Sequence, residues 1–277
     1  MTDGIGFVAA GSFSLEALAD IVTRSFEAYF YQDVMTAEAL ARRVREEQID
    51  LWASPVMLLD GAPAGQALIA VRGERAWCGG FGMMRPLRGR GLAHRLAAEM
   101  LQQARAAGAR SLALEVLTRN EPAIRTYTRA GLRVVRDLRV LEWAAPGAGT
   151  DGGGAPAHDG GSVAEALVHF HALHPRPAAW QRDLPSLLVR QGLECVALAR
   201  HEGLAAYALL SSRASGARIE DIGAISAAAA AELLTALRER YPRLISVNEP
   251  ADSPLTAAFD QAGFAEVDRQ HEMTIEL

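Results

Sequence analysis

The sequence predicts an α/β (α+β) protein built as two tandem copies of one unit, in which hairpin-linked strands alternate with amphipathic helices. Three observations carry this. A Gly/Pro/Ala-rich stretch at 144–161 separates two segments of ordinary globular composition, and such a stretch cannot bury a core. Each flank ends on the same pattern of helix, strand, Asn-Glu-Pro, helix, and Ala-Gly before a large apolar residue. In the first flank the signature residues are Asn120-Glu121-Pro122 and Ala130-Gly131-Leu132; in the second they are Asn248-Glu249-Pro250 and Ala262-Gly263-Phe264. Turn dipeptides at Asp60-Gly61, Gly73-Glu74, Glu202-Gly203 and Ser215-Gly216 link the central strands of both copies. The expected division is 1–143, a linker at 144–161, and 162–277.

The first half opens with a strand at 4–10, helices at 14–28 and 36–48, and strands at 55–60, 64–72 and 76–84. A helix at 89–107 follows, with Leu92, Leu96 and Met100 recurring every four residues beside Ala93, Ala97 and Ala104 until Gly108 ends it. The next strand, 111–118, puts Leu112, Leu114 and Val116 on one face. Asn120 suits a helix cap, Pro122 the first turn and Gly131 the left-handed exit. A long strand at 132–143 closes the half. In the second half helices fall near 162–172 and 177–191, and strands near 193–200, 204–212 and 217–223. A helix at 227–240 keeps its period through Ala230, Leu233, Leu234, Leu237 and Tyr241 until Pro242 stops it. A strand at 244–247 precedes the second Asn-Glu-Pro. No opening strand is visible after the linker, and the long strand at 132–143 is expected to reach into that gap.

A chain of 277 residues has room for two domains, and 50% hydrophobic with 22% charged residues is the profile of a soluble globular protein. No segment approaches the ~20 apolar residues of a membrane span. Met1–Ala10 lacks the basic start and apolar core of a signal peptide, so the cytoplasm is the expected location. Cys78 and Cys195 are isolated, which excludes a disulfide framework and gives no metal spacing. A net charge of -5 disfavours a nucleic-acid partner and suits a cationic acceptor. All 28 basic residues are arginine, so no lysine side chain is present to modify.

The run Phe81–Ala93 is the most informative. An apolar strand ends, a turn with Arg88, Gly89, Arg90 and Gly91 follows, and a helix begins at Leu92 and Ala93. Free N–H groups at a helix N-terminus attract phosphate, and glycines let a diphosphate approach the main chain. A dinucleotide fingerprint fits poorly, because His94 stands where a small residue is needed and Glu115 lies inside its strand. Arg88-x-x-Gly91-x-Ala93 instead resembles the acyl-CoA pyrophosphate loop of the GNAT superfamily of N-acetyltransferases. Asn120-x-x-Ala123-x-x-x-Tyr127-x-x-x-Gly131-Leu132 resembles that superfamily's other motif. One departure is that Arg85 holds the place where members usually have proline, and Pro86 follows it.

The resemblance implies that each half is a GNAT-like domain, a mixed, mostly antiparallel sheet flanked by helices. It implies an acyl-CoA wedge between the fourth and fifth strands, with Phe81, Gly82 and Met83 along the pantetheine and an N–H near Gly82 at the thioester oxygen. Arg88, Gly89, Arg90, Gly91, Leu92 and Ala93 would hold the phosphates, with Asn120 and Tyr127 near the cofactor. Gly79, Gly80 and Gly82 mark either a bulge or room for the acyl group. Tyr127 is the expected general acid for the departing thiolate. Many members place a basic Glu on the fourth strand, but Ala76-Trp77-Cys78-Gly79-Gly80 has none, which leaves Glu115 as the nearest acid. Cys78 has no visible base to make it a nucleophile. Phe26, Tyr29, Phe30, Tyr31 and Gln32, with Trp52 and Trp77 nearby, are the expected acceptor wall.

The function implied is transfer of an acetyl group from acetyl-CoA to a primary amine of a small molecule, by direct attack in a ternary complex and without a metal. The alternative is a non-catalytic acyl-CoA sensor. The second copy has Ile222-Gly223-Ala224-Ile225-Ser226-Ala227 in place of the loop and Phe259 opposite Tyr127, so it is expected to be degenerate. No membrane partner is implied, and the protein is expected to be a monomeric pseudo-dimer or a homodimer.

Overall fold

The computed structural model describes residues 4–31, 34–146, 161–201, 203–213 and 215–277; Gln32, Glu202 and positions 147–160 of the linker lie outside them. The described residues divide into two compact units, one running through Val135 with His271–Leu277 added, the other Arg136–Gln270.

The first unit contains β1 (Ile5–Ala9), α1 (Leu15–Ser25), α2 (Ala37–Glu47), β2 (Pro55–Leu59), β3 (Ala62–Arg72), β4 (Arg75–Met83), α3 (Leu92–Ala106), β5 (Ser111–Leu117) and α4 (Glu121–Arg129). Its strands lie in the order β1-β2-β3-β4-β5, antiparallel except for the last pair. A two-residue strand, Ile49–Asp50, also pairs with β3. Ser14 and Thr36 start α1 and α2 by accepting from the Ala17 and Ala39 N–H groups, each cap being worth ~1 kcal/mol. Helix α1 stops at Ser25, short of the expected 28, and Ala28 turns the chain at φ 56°. Helix α3 buries Leu96, Ala97, Met100, Leu101 and Ala104 in the core formed with β3 and β5.

The second unit takes in most of β6 (Arg133–Ala144), then α5 (Val163–Val168), α6 (Phe170–Leu173), α7 (Leu184–Val189), β7 (Glu194–Arg200), β8 (Gly203–Arg213), β9 (Gly216–Ala224), α8 (Ala227–Arg240), β10 (Arg243–Pro250), α9 (Thr256–Gln261) and the start of β11 (Ala265–Glu276). Its order is β6-β10-β9-β8-β7, with β9 and β10 parallel. The long strand therefore does not fill the place of a missing opening strand beside β7. It pairs antiparallel with β10 at the other edge, from Arg243 opposite Ala144 to Pro250 opposite Leu138.

The corresponding edge of the first unit, beside β5, is taken by the end of β11. Met273, 1% exposed, packs into the first core with Ile275 and Leu277, and the Leu277 N–H donates to the Arg110 carbonyl at 2.8 Å. The sequence pattern had shown no strand after Phe264. A second correction concerns Asn248-Glu249-Pro250, which extends β10 instead of capping a helix. Asn248 sits at φ 63° in a bulge between Ser246 and Glu249, and α9 begins only at Thr256.

Candidate active site

The parallel ladder between β4 and β5 runs only from Arg75–Ser111 to Trp77–Ala113. Beyond it the strands have no mutual pairing, so Phe81, Gly82 and Met83 border a wedge. Gly79 is the extra residue of a β-bulge, since Leu68 faces Gly80 while Ile69 faces Cys78. Arg43 of α2 clamps that bulge by donating from Nη2 to the Gly79 carbonyl, and Glu47 holds Arg43 Nε at 2.7 Å. A Cβ on Gly82 would fall 2.5 Å from Ser25 Oγ, so this glycine admits the end of α1 against the strand.

The loop after β4 turns on Gly89 (φ 74°) and Gly91 (φ 78°), both left-handed. Gly91 is the N-cap of α3 and brings no side-chain cap. The first N–H groups of α3, from Leu92 and Ala93 onward, thus lack intrahelical partners, the condition under which a helix end binds phosphate oxygens. Gly89, Arg90 and Gly91 are exposed. Arg88 is exposed as well but is tethered: its Nε donates to the Met83 carbonyl and its Nη2 to the Ser25 carbonyl, each at 3.0 Å. Its guanidinium ties the loop to α1 and β4, and burial lowers its pKa.

Tyr127 projects from α4 and is 5% exposed, its ring edge-on to Phe81 with centroids 5.4 Å apart. Its hydroxyl makes no hydrogen bond among the described residues. Burial, reinforced by the Cys78 thiol and the Tyr29 phenol, pushes its pKa well above 10. Burial likewise lifts Cys78 to about 12, against the pull of Arg43, and this fits a neutral thiol rather than a nucleophile. Asn120 accepts the Ala123 N–H as the cap of α4. Glu115 is half-buried, with Oε2 taking the Trp77 indole N–H at 2.8 Å. Trp77 is 1% exposed, so it stands behind the acceptor wall and does not line it.

Phe26, Tyr29 and Phe30 form a chain of edge contacts, with centroids 5.3 and 5.2 Å apart. The Arg119 guanidinium lies 4.6 Å from the Phe30 ring and 5.8 Å from that of Tyr31. Arg43, Ser25 and Arg119 had not been singled out in the sequence; no local motif marks them, because each acts through a partner distant along the chain.

The second unit treats the equivalent positions differently. Its β9–β10 ladder also stops early, at Ile219–Ser246. Ser226 caps α8 by accepting the Ala229 N–H at 3.2 Å, so one of the free N–H groups at this helix end is already taken. Phe259 is wholly buried and edge-on to Phe264. Among the described residues no group of His, Cys, Asp and Glu could hold a metal ion, and no helix is long and apolar enough to cross a membrane.

Residues 15–132 match the model of the Acetyltransferase (GNAT) family. No curated protein matches the chain. Among solved structures, a GCN5-related N-acetyltransferase from Sphaerobacter thermophilus is similar at 17% identity and a TM-score of 0.71, over 100% of this chain and 96% of that one. A putative acetyltransferase from Pyrococcus horikoshii is similar at 12% identity and TM-score 0.66, over 100% and 91%. A tandem GNAT protein from the clavulanic acid biosynthesis pathway is similar at 15% identity and TM-score 0.65, over 98% of both chains. These likenesses concern the fold, and they span both units. Residues 15–132 thus carry the match to the Acetyltransferase (GNAT) family, and along its whole length the chain has a fold similar to solved GNAT structures, a tandem GNAT protein among them.

Proposed function

We propose that the first unit transfers an acetyl group from acetyl-CoA to the primary amine of a small molecule, by direct attack while both are bound. The observation that carries this is Tyr127, whose ring is buried edge-on to Phe81 beside the wedge while its hydroxyl makes no hydrogen bond among the described residues. A phenol so placed keeps its O–H available to a group that enters the wedge.

The residues present suit an acyl-CoA. The left-handed Gly89 and Gly91 and the uncapped start of α3 can receive a diphosphate, and the unpaired edges of β4 and β5 can receive an extended pantetheine. In this reading Arg88 holds the loop in shape, while Arg90 and the main chain meet the phosphates. A main-chain N–H near Gly82 takes the developing charge on the thioester oxygen, worth ~3 kcal/mol. Tyr127 gives its proton to the departing sulfur, and its raised pKa keeps that proton in place until then. Glu115, held by Trp77, receives the proton of the amine, and the aromatic segment from Phe26 to Tyr31 with Arg119 borders the acceptor.

The test is free-thiol release from acetyl-CoA by the full chain across a panel of small primary amines. Amine-dependent release supports the proposal. Acetyl-CoA binding with no thiol release from any amine overturns it and leaves the binding role.

A further inference from the structure

The second unit has a cleft of its own where β9 and β10 part. His174, Arg182, Asp221, Glu249, Ser253 and Leu255 border it, and its interior room of about 20 Å³ admits one group the size of a water or an ammonium head. Four of these side chains form a line of charge. Asp221 is wholly buried; it accepts the Tyr207 hydroxyl at 2.8 Å and faces His174 Nε2 at 3.0 Å. His174 Nδ1 faces the Phe170 carbonyl at 2.8 Å. Both ring nitrogens therefore meet oxygens that accept, which makes His174 the imidazolium, stacked on Phe170 at 4.0 Å. Arg182, 4% exposed, donates to Ser246 Oγ at 2.9 Å and the Val247 carbonyl at 3.2 Å.

Glu249 is the group left short. It is 3% exposed, and its Oε2 lies 2.7 Å from Arg182 Nη2. At that distance the two form a close ion pair, although no hydrogen bond of normal alignment from a described residue reaches Oε2. Burial raises the Glu249 pKa despite Arg182, as expected of a carboxylate wanting donors. Arg176, at the rim, is paired with Asp252 at 3.4 Å. Arg182 and the His174 imidazolium balance Asp221 and Glu249 in charge, so what Oε2 wants is an aligned donor, and an anion there would confront two buried carboxylates.

We propose that this cleft binds the primary ammonium group of a small amine, with the Glu249 carboxylate as its acceptor. An ammonium brings three donors and no acceptor, and its size matches the room available. The inference stands apart from the chemistry of the first unit.

The test uses the full chain and methylammonium chloride, with tetramethylammonium chloride as a cation that cannot donate. The readout is the His174 imidazole NMR signal, identified by its loss in His174→Gln. Methylammonium is expected to shift the signal saturably, tetramethylammonium is not, and Glu249→Gln is expected to weaken the response about tenfold or more. No saturable shift, the same shift from both cations, or undiminished affinity in Glu249→Gln overturns the proposal, the first meaning that water alone occupies the cleft. If Glu249→Gln fails to fold, Ala178→Val, which takes up room in the cleft and removes none of its charged groups, replaces it; unchanged affinity there overturns the proposal as well.

Discussion

Tyr127→Phe separates chemistry from packing because of how the tyrosine is held. The ring is 5% exposed and keeps its edge contact with Phe81 when the hydroxyl is removed. With no hydrogen bond to that hydroxyl among the described residues, the substitution orphans no donor or acceptor, so stability should change by no more than about 0.5 kcal/mol. Acetyl-CoA affinity should also hold, since the proton is needed only when the sulfur leaves. Turnover should fall by about 10²–10⁴-fold, which is about 3–5 kcal/mol of barrier. Thiol release at saturating acetyl-CoA, calorimetric affinity and a thermal melt, measured on both proteins, check the three statements together. Near-wild-type turnover refutes the assignment, and a loss of affinity alone makes Tyr127 a binding residue. Because burial holds its pKa well above 10, Tyr127 should add no descending limb to the wild-type turnover profile up to pH ~10.

Calorimetry should find one acetyl-CoA per chain, weakened in Gly91→Ala, where a Cβ at φ 78° costs about 1–2 kcal/mol, and lost in Gly91→Glu; two equivalent sites would contradict the self-capped end of α8. Arg43→Gln should free the Gly79 bulge and lower kcat about tenfold with acetyl-CoA affinity held, and Arg43→Lys should restore part of it; equal losses in kcat and affinity would assign Arg43 to packing alone. Burial opposes the charge on His174, but Asp221 and the Phe170 carbonyl outweigh it, and the folded pKa stands above 6.5. The stability this adds is fully present below 6.5 and lost as pH rises through the folded value, so melting points of wild type and His174→Gln should differ most in acid and converge on the alkaline side. A gap that widens with pH reverses the sign and sinks the imidazolium. Residues 1–143 alone should melt below the full chain or fail to stay soluble, since they lack the buried Met273, a loss of about 2–5 kcal/mol; a fragment with the full chain's melting point and activity would refute this.

The helices and hairpins were legible because their signals are local. Asn120 caps the helix it precedes, as its place before Pro122 suggested, and the four-residue spacing of Leu92, Leu96 and Met100 marks the inward side of α3. The glycine loop was legible for the same reason, as positive φ is a property of single residues. Strand β11 was not, because Asp268, Arg269, Gln270, His271 and Glu272 break its alternation and Val267 is 50% exposed. Its partner β5 lies more than a hundred residues earlier. The two Asn-Glu-Pro triplets misled for a related reason. The same three residues cap α4 at Asn120 and bulge β10 at Asn248, and the four added residues before α9 decide which. Arg88 lies in that loop, but its hydrogen bond to Ser25 depends on α1 arriving from far along the chain.

In both units a parallel pair of strands separates after three paired residues, so the wedge belongs to the fold and not to the chemistry. What differs is what the side chains do with it. The first unit lines the opening with Phe81, Gly82 and Met83, leaves α3 uncapped on a left-handed glycine, and sets beside it a phenol with no hydrogen bond among the described residues. The second sends Arg182, Asp221 and Glu249 into the same place and caps its helix with Ser226. A glutamate that stands exposed at position 121 is buried at position 249, because the chain there continues as a strand instead of turning into a helix. Burying that carboxylate is costly unless its hydrogen bonds are met. Arg182 supplies the countercharge 2.7 Å from Oε2 but no aligned hydrogen bond from a described residue reaches it, and that is the point on which the ammonium proposal rests.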